Sequence, residues 1–374
     1  HLRGRKYEDF AILYRSNAQS RALESILMSA GIPYRIYGGH RFFERAHVKD
    51  ALAYLRLVEN PNDNTAFLRA VNTPTRGIGA KTLEGLSAAA ETAGVSLMTA
   101  AKNSPTKAAA FSDLILNIRD KIADLPLVEA VKVVIESSTL RAAVEAADKK
   151  EHTAKAEDLD EIANAAAAFL KNAEIDEKTP ALLPVSEDEL SPLSAFLALA
   201  TLEAGDNQSE AGADAVQMMT VHAAKGLEFP VVFITGLEEN LFPHASAMRE
   251  NGDSGLEEER RLMYVAITRA KRRLYLSYAA VRFINGQRQD EMPSSFLDEI
   301  PQEHLEWLAD PQAASRESWA SSSGSWGRGG DEPHRGRASY GHWGERRSDS
   351  ESRGSGDRGT FTGNAYTWSP KGKD

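Results

Sequence analysis

The side chains best equipped for chemistry fall in two segments: Thr220-Val221-His222-Ala223-Ala224-Lys225-Gly226-Leu227-Glu228-Phe229, and the stretch from Glu257 to Ala270 that ends in Thr268-Arg269. His222, Lys225 and Glu228 follow a strand-like run from Val216, and polar residues leaving the carboxyl end of a parallel strand are where open α/β sheets bind ligands. In the second segment Glu257, Glu258 and Glu259 complement the dipole of an expected first helical turn, and Arg269 closes the helix beside Lys271-Arg272-Arg273. Each residue also has a plainer explanation: His222 as a strand-end histidine, Glu228 as a surface acid, Arg269 as a dipole partner.

A third candidate is Gly77-Ile78-Gly79-Ala80-Lys81-Thr82. It resembles the end of a phosphate-binding loop, but such a loop needs Gly directly before Lys and must leave a strand. Here Ala80 holds that position and the preceding Phe67 to Val71 has helical character. A Gly-Ile-Gly turn between helices suits a DNA backbone phosphate instead, met by the exposed amides of Gly77 and Gly79, the next helix N-terminus, Lys81 and Thr82. A plain helix–helix turn fits the spacing equally.

The elements that must carry these residues show as a change of pattern along the chain. Phe10 to Tyr14 is an apolar strand, Ala18 to Ala30 has helical period, and Pro33 to Tyr37 is a second strand. Val216 to His222, Val231 to Thr235 and Leu274 to Tyr278 are further strands, with a helix predicted over Glu257 to Ala270. Continuous apolar strands alternating with helices indicate a parallel sheet covered on both faces. Between the halves nearly everything is helical: Ala51 to Glu59, Thr65 to Asn72, Lys81 to Ala93, Ala108 to Ala123, Leu127 to Glu136, Leu159 to Asn172 and Pro192 to Ala204. The simplest architecture is one α/β domain split by a helical insertion, with Gly205 to Ser209 as the return hinge.

Composition limits the rest. The 374 residues carry 44 Lys+Arg against 54 Asp+Glu, a net of -10, so nucleic acid would have to be held at local sites and not by a general positive field. The absence of cysteine excludes disulfides, Cys-based zinc or iron–sulfur sites and a thiol nucleophile. No metal site is expected. No apolar run approaches the roughly 20 residues that span a bilayer and no signal peptide opens the chain, which points to a cytoplasmic protein without membrane contact. From Gln312 to Asp374 there is no Leu, Ile, Val or Met, and four of the five tryptophans lie there. Such a stretch is expected to be disordered, either as a linker or as a tail whose Arg and aromatic residues stack on single strands.

Taken together, Ala11-Ile12-Leu13-Tyr14-Arg15-Ser16-Asn17-Ala18-Gln19-Ser20-Arg21, Tyr37-Gly38-Gly39-His40-Arg41-Phe42-Phe43-Glu44-Arg45, Asn72 to Gly79 and the two segments above closely resemble the carboxyl-terminal half of UvrD/PcrA/Rep-type superfamily 1 DNA helicases, the UvrD branch most of all. The resemblance runs from Tyr7 to about Pro301. It implies a RecA-like second motor domain in two parts, residues 1–37 and 213–305, interrupted by a helical insertion over 38–212 and followed by a disordered Ser/Gly/Arg/Trp tail over 306–374. It also implies that Gly226, Glu228 and Arg269 bind ATP, with Arg269 as the catalytic arginine finger, a role suited to a group that is always charged. By the same resemblance Arg15, Thr220 and His222 touch single-stranded DNA, and Gly77, Gly79, Lys81 and Thr82 touch duplex.

No G-x-x-x-x-G-K-[ST] loop and no Asp-Glu magnesium motif occurs in the chain. ATP and Mg2+ are therefore expected to be held mostly by a first motor domain outside this sequence, and the chain, which opens on His1, is expected to be a fragment inactive alone as an ATPase. The parent is expected to be a 3′ to 5′ DNA helicase that unwinds duplex, acts on single-stranded and forked DNA and meets DNA-repair proteins. Two alternatives are a stand-alone DNA-binding or regulatory module and a helicase–nuclease subunit, although no nuclease domain follows.

Overall fold

The computed structural model of the chain describes residues 4–151, 153–184, 189–205, 213–284, 287–308 and 364–368. Strand β1 (Phe10–Tyr14) leads through helix α1 (Ser20–Ser29) to strand β2 (Tyr34–Ile36). The helix stops at Gly31, whose φ of 64° is a left-handed conformation that glycine adopts without strain. Much later in the chain, β3 (Val216–Thr220), β4 (Phe229–Ile234) and β5 (Ala270–Tyr278) complete a parallel sheet of order β2-β3-β1-β4-β5.

These strands are apolar on both sides because both sides are covered. Ala11, Leu13, Met219, Val232, Ile234, Leu274 and Leu276 pack on one face, together with Leu262, Met263 and Ala266 of the last helix. Tyr14, Ile36, Val216 and Met218 pack on the other, against Leu23, Leu27 and Met28 of α1. The mixed α/β class with a mainly parallel sheet thus follows from the two-sided burial that continuous apolar strands require.

Between β2 and β3 the chain is helical: α2 (Ala46–Glu59), α3 (Asn64–Ala70), α4 (Ala80–Ala93), α5 (Leu97–Lys102), α6 (Lys107–Ile122), α7 (Leu127–Ser137), α8 (Leu140–Glu151), α9 (Lys155–Asn172) and α10 (Pro192–Gly205). This stretch has its own hydrophobic core, which runs from Phe42 to Ala200 without a strand. Helix α2 is its axis: Val48, Ala51, Leu52, Tyr54, Leu55, Leu57 and Val58 are all buried, so it is covered on every side. The Tyr54 and Phe67 rings meet Phe111 edge-on at centroid distances of 6.2 and 5.4 Å. Sequence reading passes over α5, which is short, and α8, where only Leu140 and Asp148 are buried. Residues 206–212, which hold most of the expected return hinge, lie outside the described residues.

The last helix, α11 (Ala245–Ile267), corrects two expectations. It starts well before Glu257, so Glu257, Glu258 and Glu259 are not its first turn, and it ends at Ile267, so Arg269 lies in the connection to β5 and Lys271-Arg272-Arg273 are strand residues. The early start is hidden in the sequence by Gly252, where φ 52° and ψ -131° break the helix. Beyond β5 come a hairpin, β6 (Val281–Ile284) with β7 (Gln287–Asp290), and then β8 (Glu306–Trp307).

The stretch 306–374, expected to be disordered, contains β8 and also β9 (Asn364–Trp368), which pairs antiparallel with Leu274 to Tyr278 of β5. The expectation fails for these residues because an open sheet edge supplies backbone partners that need no apolar side chains. The remainder of that stretch, 309–363 and 369–374, lies outside the described residues. Among the described residues no helix is long and apolar enough to cross a membrane.

Phe111, at 1% exposure, is the ring on which Tyr54, Phe67 and Arg76 converge. Phe111→Ala is expected to destabilise the helical stretch by about 3–5 kcal/mol. Urea denaturation followed by far-UV circular dichroism measures it, and a shift below about 1 kcal/mol contradicts this packing.

Candidate functional site

The candidate residues separate into three places. At the carboxyl edge of the sheet, β1 ends at Tyr14 opposite Thr220, the last residue of β3, so Arg15 and the Val221-His222 pair leave side by side. The Val221 amide donates to the Tyr14 carbonyl at 2.9 Å, and the Thr220 hydroxyl accepts from the Ala223 amide at 3.3 Å. Arg15, Thr220 and His222 therefore do meet.

Arg15 is not a free cation. Its Nε and Nη2 donate to both carboxylate oxygens of Glu259 at 2.6–3.1 Å, and Glu259 is 1% exposed. The His244 amide donates to the same carboxylate at 3.0 Å. Nη1 carries none of these bonds, so Arg15 keeps donors for a phosphate while Glu259 offsets its charge. Partial burial, and then the Arg15 guanidinium, push the His222 imidazole below its ordinary value against the opposing pull of Glu259 and Glu258. His222 is thus neutral at pH 7 and offers one ring donor and one ring acceptor.

The second place is the opposite edge. The connection after β3 buries Val221 and Ala224, turns at Gly226 with φ 84°, and delivers Glu228 to the amino end of β4. The expectation that His222, Lys225 and Glu228 share one strand end is therefore corrected. His222 is at the carboxyl edge and Glu228 at the amino edge, because this short connection crosses the sheet before β4 begins. There the Phe229 amide donates to the Arg269 carbonyl at 2.9 Å. Arg269 donates through Nε to the Val265 carbonyl, through Nη1 to the Leu227 carbonyl and through Nη2 to the Thr268 hydroxyl, at 2.8–2.9 Å. One N–H remains on each of Nη1 and Nη2, held in fixed orientation, so the residue fits a phosphate oxygen without surrendering its supports. Glu228 is exposed and 3.8 Å from Lys271, leaving its carboxylate open to a hydroxyl. Among the described residues no three His, Cys, Asp or Glu side chains converge as a metal cage.

Helix α11 joins these two edges. Its middle carries Glu259, bound to Arg15, and its end leads into Arg269. No sequence signal distinguishes Glu259 from Glu257 or Glu258; burial selects it.

The third place is the Gly77 to Thr82 turn, on the helical core and apart from the sheet. The Asn72 side chain accepts from the amides of Arg76 and Ile78 at 2.7 and 3.3 Å, Ile78 is 2% exposed, and Gly77 takes φ 71°. Arg76 lies beneath, its guanidinium 5.7 and 5.2 Å from the Tyr54 and Phe111 ring centroids and bonded to the Ser138 carbonyl. This pinning leaves Gly77, Gly79 and Lys81 outward, with Thr82 half-buried. Lys107, at the start of α6, brings its ammonium beside Gly77, a neighbour the sequence does not announce.

The helical core is clasped to the sheet domain through the first turns of α9. Glu157 accepts from Ser16 and pairs with His244, and Glu161 pairs with Arg21; Asp158 pairs with Arg45 at 2.6 Å and with His47 inside the helical stretch, and Arg45 in turn donates to the Asn17 carbonyl at 3.1 Å and the Ser20 hydroxyl at 2.7 Å. Burial works to raise the Glu157 carboxyl, but the bonds from His244 and Ser16 and the charge of Arg15 outweigh it and hold the group below its ordinary value.

The arrangement defines an α/β domain with one polar group at each edge of a parallel sheet and a helical body between its halves. The UvrD-like helicase C-terminal domain family matches residues 1–281, and the chain belongs to that family. It is 45% identical over 306 residues to DNA helicase II of Escherichia coli (strain K12), covering 79% of this chain and 41% of that protein. Over 348 residues it is 40% identical to ATP-dependent DNA helicase UvrD1 of Mycobacterium bovis, covering 89% and 44%, and over 310 residues it is 40% identical to ATP-dependent DNA helicase PcrA of Leuconostoc citreum, covering 80% and 40%. The chain thus spans about two fifths of the length of these relatives.

Arg15→Ala leaves Glu259 buried without its cation and is expected to destabilise the sheet domain by about 3–5 kcal/mol. Because Arg15 depresses the His222 imidazole and Glu259 raises it, the same change moves the His222 midpoint upward. Thermal unfolding and an NMR pH titration of His222 check the two effects; an unmoved or lowered midpoint contradicts the electrostatic account.

Proposed function

We propose that this chain is the second, RecA-like motor domain of an ATP-dependent DNA helicase, built from residues 1–37 and 213–305, with residues 38–212 as its helical insertion domain and 306–374 as a tail. The parent moves 3′ to 5′ on single-stranded DNA, unwinds duplex at forks and serves DNA repair in the cytoplasm. The observation that carries this reading is the attachment of two polar groups, at opposite sheet edges, to one helix.

In this reading the carboxyl edge, with Arg15, Thr220 and His222, receives the single strand: neutral His222 and the Thr220 hydroxyl supply hydrogen bonds, and Arg15 supplies a charge moderated by Glu259. The amino edge, with Gly226, Glu228 and Arg269, is one wall of a nucleotide site. Glu228 takes a ribose hydroxyl, and Arg269 stabilises charge on the γ-phosphate. Mg2+ and the phosphate loop belong to a separate first motor domain, so the chain alone is inactive as an ATPase. Gly77, Gly79, Lys81 and Thr82, joined by Lys107, meet the duplex ahead of the fork. The names of the relatives and the family support the reading.

Arg269→Ala in the full-length parent is expected to lower DNA-stimulated ATP hydrolysis by about 10³-fold or more while single-strand affinity stays near normal. Arg269→Lys, which keeps the charge, is expected to recover only a small part, and near-normal turnover in the Ala variant overturns the assignment. Lys81→Ala and Lys107→Ala are each expected to weaken duplex binding evenly across sequences and to reduce the salt slope by roughly one. An unchanged slope, measured by anisotropy titration at several salt concentrations, removes the turn from the duplex contact.

A further inference from the structure

The amides of Arg15 and Ser16 follow the last ladder residue of β1, and both donate to one oxygen, Gln19 Oε1, at 2.9 and 2.8 Å. The Gln19 amide returns to the Ser16 carbonyl at 3.2 Å. A Ser-x-x-Gln turn of this kind caps a helix when the glutamine takes the amide of the serine. Here the glutamine takes a second amide, that of Arg15, and so holds the backbone of the residue whose guanidinium belongs to the carboxyl edge of the sheet.

The carboxamide is braced from its far side. The Thr235 amide donates to the Leu13 carbonyl at 3.0 Å, which brings the end of β4 beside the Arg15 turn. Gly236 follows, buried and with φ 75°. A Cβ built on Gly236 would overlap Gln19 Nε2, so only a glycine there leaves room for the glutamine. Gln19 thereby ties together the ends of two neighbouring strands. The rest of the turn is held as well: Arg45 donates to the Asn17 carbonyl at 3.1 Å, and the Ser16 hydroxyl donates to Glu157.

The pair with Glu259 fixes the tip of Arg15 relative to α11, whereas Thr220 and His222 are carried by β3 and the connection that follows it. Arg15 is aligned with those two residues through its backbone, which Gln19 grips at two successive amides. A glutamate would accept from the same amides but would add a negative charge to an edge that receives phosphates; the neutral carboxamide accepts without repelling them. We propose that Gln19 is a positioning residue for single-stranded DNA, holding the Arg15 turn in its binding shape before the strand arrives and so lowering the ordering cost of binding. The proposal rests on the reading of the carboxyl edge as the single-strand site.

Hydrogen exchange of the 374-residue chain without DNA tests the geometry. Gln19→Ala is expected to speed exchange at the Arg15 and Ser16 amides and to leave the Val221 amide protected. ATP hydrolysis by the full-length parent tests the function. There Gln19→Ala is expected to raise the half-saturating concentration of single strand about tenfold, the worth of one to two hydrogen bonds, at low and high salt alike, with turnover at saturating DNA little changed. Gln19→Glu is expected to keep both amides protected and to raise the same concentration at low salt only, because salt screens its added charge. Unchanged exchange in the Ala variant overturns the proposal, as does a Glu variant as weak as Ala at high salt. Faster exchange with unchanged half-saturation also overturns it, since the turn is then purely structural. His222→Ala, which leaves the turn intact, tells this failure from that of the underlying reading. If His222→Ala raises half-saturation and Gln19→Ala does not, the positioning role alone falls; if neither raises it, the single-strand edge falls and the proposal with it.

Discussion

The ion pair between Arg15 and Glu259 is the interaction on which the sheet domain turns. It joins the end of β1 to the middle of α11, and burial makes it demanding: Glu259 needs both Arg15 and the His244 amide to be satisfied. Through His244 the connection passes to Glu157 and from there to Ser16, next to Arg15 in the chain. The strand end, the long helix and the helical body are thereby closed into one polar loop. Losing Arg15 leaves the Glu259 charge buried without its cation.

The same economy shapes the outside. With -10 net charge the surface as a whole repels phosphate, yet each candidate site has cations whose neighbours are fixed. Arg269 is tied to three oxygens, Arg76 lies under its turn against two rings, and Lys107 stands beside Gly77. Local geometry, with donors already oriented, takes the place of a general field.

Much of the fold was legible in the sequence because the signals were local. The five parallel strands are short apolar runs, and most helices of the middle stretch carry clear periodicity. Capping residues such as Asp63 and Thr106 mark helix starts by accepting from backbone amides. What was not legible depended on partners distant in sequence. Three consecutive glutamates look alike until Arg15 picks one; Gly252 disguises the beginning of α11; and β9 forms through the open edge of β5, which no apolar pattern in Asn364–Trp368 announces. The candidate residues were visible as types, but their division between two edges was not, because sequence proximity suggested that His222 and Glu228 belonged together.

That division rests on the connection from Val221 to Glu228. Its buried Val221 and Ala224 press it onto the sheet, so it works as a measured strap whose length matches the height of the strands it crosses. Length is then as strictly constrained as residue identity. One residue more would lift the strap from the apolar face, and one fewer would pull Glu228 out of line with Arg269. The stretch should therefore tolerate exchanges at its exposed positions, such as Lys225, more readily than any insertion or deletion.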